Sequence, residues 1–214
     1  MITVEKHLAI MDDGFTTNTY IVTDTETGDT AVVDPSLPEE KLMEKLSGKN
    51  VKYILLTHGH FDHFCGAKMV KDGTGAKVVI HEKDAGHLLD PKKSLAEGNF
   101  PESHQPVTAD ILVEDGDVIM LGNSPIKVMH TPGHTNGSVC YILEDERVIF
   151  SGDTLFCMTA GRTDFWDGSD EKMIASLKRL IALDGDYKVY AGHSRETTLE
   201  RERTRNWYIR RMVK

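Results

Sequence analysis

The chain has 214 residues, and 34 acidic against 25 basic side chains give it a formal charge of −9, which argues against nucleic acid as a partner. Its hydrophobic fraction of 39% and charged fraction of 28% are typical of a soluble globular protein, and its length suits one domain over residues 1–214. We expect a cytoplasmic location and no membrane contact, because no long apolar run and no basic-then-apolar N-terminus is present.

The hydrophobic pattern predicts strands and helices along the whole chain. The predicted strands are residues 18–23, 30–33, 51–56, 78–80, 111–113, 118–120, 126–130, 138–143, 147–150 and 188–190. The predicted helices are residues 37–46, 67–71, 83–89, 173–183 and 198–211, the first with Ser36 as its candidate N-cap. Residues 90–109 hold three prolines and predict a loop or lid. This order favours an α/β (α+β) fold in which two packed sheets have helices outside them.

The most informative segment is Thr57-His58-Gly59-His60-Phe61-Asp62-His63, which follows an apolar run. It places three imidazoles and a carboxylate within six residues. These are ligands that borderline divalent metals prefer. A core is a poor place for such a cluster, because each ring nitrogen would need its own hydrogen-bond partner. The segment therefore predicts a metal site.

Three further predicted strands are each followed by a residue that can bind a metal. His134 comes after residues 126–129, Asp153 after residues 147–150, and His193 after residues 188–190. Side chains at strand ends are held by a rigid sheet, and the Gly and Pro residues beside them permit sharp turns. One such residue alone is more often a turn former, but together with the histidine cluster the three favour a shared site.

These residues resemble the pattern of the metallo-β-lactamase-fold hydrolases: an H-x-H-x-D-H cluster, a distant His, a distant Asp and a final His. The resemblance covers residues 18–214 and implies a four-layer αββα sandwich of two mixed β-sheets with metals at one edge. It implies two divalent cations, zinc first and iron or manganese as alternatives. The implied ligands are His58, His60 and His134 for the first ion, Asp62, His63 and His193 for the second, and Asp153 as the bridge.

Cations that share a carboxylate can also share a water and lower its pKa enough to give hydroxide at neutral pH. That hydroxide attacks a carbonyl carbon, so Asp62 and Asp153 are the candidate catalytic carboxylates as well as ligands. Asp34, at the end of a predicted strand, resembles an aspartate that orients the ligand loops in relatives. A turn former ahead of Pro35 is an equally good interpretation of Asp34.

Two segments are similar to the short bacterial relatives of glyoxalase II, or hydroxyacylglutathione hydrolase. They are Gly152-Asp153-Thr154-Leu155-Phe156 with Gly161-Arg162-Thr163-Asp164-Phe165, and Gly192-His193-Ser194-Arg195-Glu196-Thr197-Thr198. The resemblance implies hydrolysis of a hydroxyacyl-thioester or ester of small size. The chain ends before the helical region with which full-length glyoxalase II binds glutathione, so the thiol carrier stays open. Arg162, Asp164 and Trp166 are candidate substrate-binding residues, with a structural turn as the alternative.

Two other functions remain as alternatives. A mononuclear iron persulfide dioxygenase shares the fold and a similar G-R-T-D-F loop, although those relatives often lack the final His. A non-catalytic metal-binding module would need a closed site, whereas the glycine-rich loops suggest an open cleft. β-Lactam hydrolysis is not expected from this full ligand set. The oligomeric state is open, a homo-oligomer included.

The remaining histidines and cysteines have simpler interpretations. The histidines without convergent partners predict surface or core roles, and they are His7, His81, His87 and His104. His130 is expected to pack near the site. The cysteines have no C-x-x-C spacing and predict no disulfide framework, and Cys65 and Cys157 are interpreted as small buried side chains beside the site.

Overall fold

The computed structural model describes residues 1–11, 14–98 and 105–213, and two six-stranded sheets organise them. The first sheet has its strands in chain order, antiparallel from β1 to β3 and parallel from β3 to β6. Its strands are β1 (Ile2–Ile10), β2 (Thr16–Asp24), β3 (Asp29–Val33), β4 (Asn50–Leu55), β5 (Lys77–His81) and β6 (Ile111–Val113).

The second sheet has the order β14-β13-β10-β9-β8-β7, and only β10 and β13 pair in parallel. Its strands are β7 (Val118–Leu121), β8 (Ser124–His130), β9 (Val139–Leu143), β10 (Val148–Gly152), β13 (Lys188–Ala191) and β14 (Thr197–Thr198). A small hairpin of β11 (Leu155–Phe156) and β12 (Thr159–Ala160) follows β10.

The helices lie between or after these strands. They are α1 (Glu40–Leu46), α2 (Phe61–Phe64), α3 (Ala67–Thr74), α4 (Asp170–Ile181) and α5 (Leu199–Arg205), with a 3₁₀ segment at Glu82–Leu89 and a π turn at Ile209–Val213. None of the helices in the described ranges is long and apolar enough to cross a bilayer.

Three apolar clusters separate four layers, because successive side chains of a strand point to opposite faces. On β9, which is buried throughout, Tyr141 faces the first sheet, whereas Ile142 packs with the side chains of α4. On β4, Leu55 joins the cluster between the sheets and Ile54 the cluster under α1 and α3. The order helix, sheet, sheet, helix confirms the predicted αββα sandwich.

The main differences from the predicted elements lie at the two ends of the chain. β1 is not predicted, since it is the edge of its sheet and its side chains alternate between exposed and partly buried positions, which leaves little continuous apolar sequence. The predicted helix 198–211 is wrong as one unit, because Asn206 interrupts it. The backbone of Asn206 is extended, and its side-chain oxygen accepts hydrogen bonds from the N–H groups of Tyr208 and Ile209.

The predicted start of the first helix is also wrong. The helix begins after Glu39 without a side-chain cap. Ser36 is instead buried, and its backbone N–H donates to the hydroxyl of Thr19 on β2. Gly48 follows the end of this helix with a φ of 75°, a conformation that favours glycine.

Candidate metal centre

All seven predicted ligands lie at one edge of the sandwich, just past the ends of four strands. The cluster that holds His58 and His60 follows β4, His134 follows β8, Asp153 follows β10 and His193 follows β13. Because β10 and β13 are parallel neighbours, their carboxyl ends bring Asp153 and His193 to the same edge. This placement is the one that the strand-end pattern of the sequence predicts.

Glycines let these loops approach one another. A Cβ atom on Gly192 would overlap both the carboxylate of Asp153 and the ring of His63. Gly152 has a φ of 47°, and a Cβ there would overlap the side chain of Thr57. At both positions only glycine allows the close approach.

The first group of ligand atoms comes from three buried imidazoles. His60 Nδ1 lies 3.1 Å from His58 Nε2 and 2.9 Å from His134 Nε2. The three ring atoms therefore converge on one point, as the first metal position requires.

The second group lies beside the first and shares one carboxylate with it. Nε2 of His193 lies 3.3 Å from Asp62 Oδ2 and 3.3 Å from Nε2 of His63. Asp153 contacts both groups: its Oδ2 lies 3.4 Å from His134 Nε2 and 3.3 Å from His193 Nε2, and its Oδ1 lies 3.4 Å from His63 Nε2. Asp153 thus lies between the two groups.

Backbone carbonyls fix the tautomers of two of these imidazoles. Nδ1–H of His134 donates to the carbonyl oxygen of Arg162 at 2.8 Å, and Nδ1–H of His193 donates to that of Thr16 at 2.6 Å. A neutral imidazole has one N–H and one lone pair. The neutral form of each ring therefore has its lone pair on Nε2, which faces the other candidate ligands.

Asp34 fixes two more tautomers. Nδ1–H of His63 donates to Asp34 Oδ2 at 2.9 Å, and the hydroxyl of Thr57 donates to the same oxygen at 2.7 Å. Since the hydroxyl hydrogen of Thr57 points to Asp34, the hydroxyl oxygen accepts a hydrogen bond from Nδ1–H of His58 at 3.2 Å. Asp34 has a φ of 49°, a conformation that a non-glycine residue adopts rarely. The predicted orienting role fits these contacts.

Such a set of atoms fits divalent cations. Lone pairs of four imidazoles face two buried carboxylates, and Oδ1 of Asp153 is buried without a hydrogen-bond partner. Lone pairs and carboxylates repel one another unless positive charge lies between them. His/Asp donor sets of this kind suit zinc, iron and manganese.

The pKa values of the imidazoles point the same way. Burial lowers the pKa of His58 well below its usual range, and burial together with His134 lowers that of His60 to about 3, so both rings are neutral at neutral pH. Desolvation also lowers the pKa of His193, but the carboxylates of Asp153 and Asp62 outweigh it and raise the pKa to about 10. Without other positive charge, a proton on His193 balances the carboxylates.

A buried cluster behind the site was not predicted. Asp84 accepts hydrogen bonds from the N–H of Gly59 and the hydroxyl of Thr135, at 2.9 and 2.7 Å, and so joins two ligand loops. His87 lies 3.4 Å from Asp167. Desolvation lowers the pKa of His87, but the hydrogen bond to Asp167 and the charge of Asp84 raise it overall. His87 is therefore buried in a charged cluster with Asp84 and Asp167, whereas its sequence context indicated no convergent partners.

Thr17 was not predicted either. Its hydroxyl donates to Asp62 Oδ2 at 3.1 Å. The threonine belongs to β2, which brings it to the site from a distance of 45 positions in the chain. A hydroxyl on a β-rich strand carries no signal of this role in the sequence.

The candidate substrate residues are placed differently from one another. Arg162 lines the cavity above the ligands. Asp164 is not among the residues that line the cavity, but it accepts two hydrogen bonds of 2.9 Å from Arg162. Trp166 stacks on His87 and donates to the carbonyl oxygen of Lys93, away from the ligand atoms.

The other predicted side chains have structural contacts. His130 stacks on His81, with ring centroids 4.1 Å apart. His7 pairs with Glu39, and His104 lies outside the described residues. Cys65 is buried, which raises the pKa of its thiol to about 12. Cys157 is partly exposed and accepts a hydrogen bond from Arg195.

Comparison with known proteins gives one family. The model of the metallo-beta-lactamase superfamily matches residues 12–193. An uncharacterized protein of Mycobacterium leprae is 36% identical over 90% of this chain and 93% of its own length. Hydroxyacylglutathione hydrolase GloC of Haemophilus influenzae is 31% identical over 84% of this chain and 86% of its own length.

Solved structures agree with this match. The chain is similar to BLEG-1 B3 metallo-beta-lactamase (TM-score 0.86, 30% identity, 97% of this chain and 99% of that one). It is also similar to TTHA1623 in a di-iron-bound form, with a TM-score of 0.81 and 28% identity over 94% of this chain and 99% of that one. The match to ETHE1 from Myxococcus xanthus has a TM-score of 0.76 and 26% identity over 98% of this chain and 84% of that one.

Proposed function

The chain belongs to the metallo-beta-lactamase superfamily, and we propose that it is a thioester hydrolase that uses two divalent metal ions. The first ion would be held by His58, His60 and His134, the second by Asp62, His63 and His193, and both by Asp153. The similarity to hydroxyacylglutathione hydrolase GloC supports this reaction class.

The observation that carries the proposal is the direction of the lone pairs. Four imidazoles are held by their Nδ1–H groups so that Nε2 points inward. An open cavity of about 410 Å³ reaches this edge and is lined by His60, Asp62, His134, Asp153 and His193. A closed structural metal site would not need such access, so the cavity disfavours the non-catalytic module.

The bound ions would supply a nucleophilic oxygen at neutral pH and polarise the substrate carbonyl. The chain's own residues then have supporting tasks. Asp34 keeps the proton of His63 on Nδ1, and the Thr16 and Arg162 carbonyls do the same for His193 and His134. A thiolate whose conjugate acid has a pKa of about 8.5 leaves without strong acid assistance. No serine or cysteine nucleophile is needed.

Thioester hydrolysis after metal reconstitution tests the proposal. Chelated protein is reloaded separately with zinc, manganese or iron, and release of free thiol from several acyl thioesters is followed. We expect hydrolysis only with metal, and a loss of at least about a hundredfold in Asp153→Asn. Asp115→Asn, which removes an exposed carboxylate elsewhere, is the matched control. Metal-loaded protein that cleaves none of the thioesters would overturn the proposal.

A persulfide dioxygenase is the second candidate, because ETHE1 from Myxococcus xanthus is a structural neighbour. The complete second group of Asp62, His63 and His193 favours the hydrolase, since a mononuclear enzyme has no use for it. Oxygen uptake with glutathione persulfide, without thioester cleavage, would favour the dioxygenase. The likeness to BLEG-1 B3 metallo-beta-lactamase makes a β-lactam a useful further substrate in the same panel.

A further inference from the structure

The cavity over the metal positions has aromatic walls on both sides. Phe15 and Phe156 lie against the His193 ring, with ring centroids 4.8 and 5.7 Å away. On the other side, Phe165 lies 4.9 Å from His60 and 5.3 Å from His134. A substrate carbonyl at the metal positions would therefore have an apolar surface on either side.

The guanidinium group at this cavity is already paired with a carboxylate. Among the described residues that line it, Arg162 is the one with a permanent positive charge. Nε and Nη2 of Arg162 each donate to a different oxygen of Asp164, both at 2.9 Å. Its guanidinium also lies over the Phe165 ring, 4.7 Å from the centroid. A bidentate pair of this kind uses the geometry with which Arg would otherwise bind a substrate carboxylate.

We propose that the substrate is a thioester that is apolar and uncharged in both its acyl and its thiol part, and that Asp164 sets this preference by neutralising Arg162. The inference rests on the proposed thioester hydrolysis and narrows its substrate class. Beyond the metal positions, the anionic groups of a substrate such as a glutathione thioester would meet aromatic rings and an engaged guanidinium, in a protein of net charge −9. Burial of methylenes against the aromatic walls is instead favourable.

A homologous series of substrates tests the acyl preference. Thioesters of one small neutral thiol carry acyl chains of increasing length, and kcat/KM is measured for each with the reconstituted wild-type protein. We expect a rise of about fourfold per added methylene until the cavity is filled. Phe156→Ala and Phe165→Ala should flatten this dependence. Succinyl thioesters of the same neutral thiol, and lactoylglutathione, should be poorer substrates than neutral thioesters of equal length.

Two opposite charge variants test the role of Asp164. Asp164→Asn releases Arg162 and should raise kcat/KM for anionic relative to neutral thioesters by about fivefold, the size of an exposed ion pair. Arg162→Gln leaves Asp164 unbalanced and should lower the same ratio. Asp115→Asn breaks an exposed ion pair away from the cavity, in which Nη2 of Arg179 donates to both oxygens of Asp115, and should leave the ratio unchanged.

The outcomes separate the two proposals. Hydrolysis that is independent of chain length, or fastest with glutathione thioesters, would overturn the apolar preference and leave thioester hydrolysis standing. An unchanged ratio in Asp164→Asn would overturn the role of Asp164. Absence of any thioester cleavage would overturn both the proposed function and this inference.

Discussion

At the scale of single residues, the site depends on groups that control the ligands without being ligands themselves. Asp34 binds three partners at once: the N–H of Thr57 at 2.8 Å, its hydroxyl at 2.7 Å and Nδ1 of His63 at 2.9 Å. Hydrogen bonds of this kind orient imidazole ligands and raise their basicity. Asp34 therefore acts on both proposed metal positions, directly through His63 and through Thr57 on His58.

Asp34→Asn should weaken metal binding more than it weakens folding. An amide has a single acceptor oxygen, so it can accept at most two of the three hydrogen bonds, and it lacks the negative charge. We expect metal affinity to fall by about tenfold to a hundredfold, measured by competition with a chromophoric chelator. Asp115→Asn serves again as the control. Wild-type affinity in Asp34→Asn would show that Asp34 is only a turn former.

Single residues differ in whether their role in the site can be predicted from the sequence. The seven ligand positions were predictable, because imidazole and carboxylate groups after apolar strands form a recognisable pattern. The partners that fix their tautomers were not, since the carbonyls of Thr16 and Arg162 belong to the backbone and any residue could supply them. Asp84 and His87 were missed for a related reason: their role depends on loops that meet only in the fold.

At the scale of elements, polar side chains determine where helix α5 ends and which neighbouring elements it contacts. Glu202 of α5 is buried and accepts hydrogen bonds from the N–H of Met158, the hydroxyl of Thr197 and the side-chain amide of Asn206, at 2.8, 2.6 and 2.8 Å. It thus ties α5 to the hairpin after β10 and to β14. The helix predicted over residues 198–211 gives no sign of this role, because composition does not distinguish a buried glutamate from an exposed one.

Glu202→Ala should destabilise the protein by at least about 2 kcal/mol, because it leaves three donors without their acceptor in a buried region. Denaturant unfolding of the metal-free protein measures this loss. Glu200→Ala, on the exposed side of the same helix, should change the free energy of unfolding by less than about 0.5 kcal/mol. Equal effects of the two substitutions would contradict the role given to Glu202.

At the scale of the whole molecule, a buried carboxylate, that of Asp24, links the two sheets. It lies at the opposite end of β2 from Thr17, which contacts the candidate ligand Asp62. Asp24, at the end of β2, accepts from the N–H groups of Glu26 and Thr27 in its own turn. It also accepts from the N–H of Asn123 and the hydroxyl of Ser124, which belong to the second sheet's β7–β8 turn. Desolvation raises the pKa of Asp24, but these hydrogen bonds lower it overall to about 2.

This carboxylate should contribute to acid sensitivity. A pKa that is lower in the folded than in the unfolded chain gives stability that is present above pH 4 and is lost as the pH falls towards 2. Unfolding of metal-free Asp24→Asn should therefore depend less on pH between 4 and 2 than unfolding of the wild type. Identical acid limbs for the two proteins would show that Asp24 does not link the sheets through its charged form.

The central claim is that seven side chains hold two divalent ions that share Asp153. Elemental analysis of the protein reconstituted with one metal, together with thioester hydrolysis on the same sample, tests it most directly. We expect two equivalents of metal per chain and activity that rises with the second equivalent, and we expect a lower stoichiometry in His193→Ala. A single equivalent of iron with oxygen uptake and no thioester cleavage would contradict it.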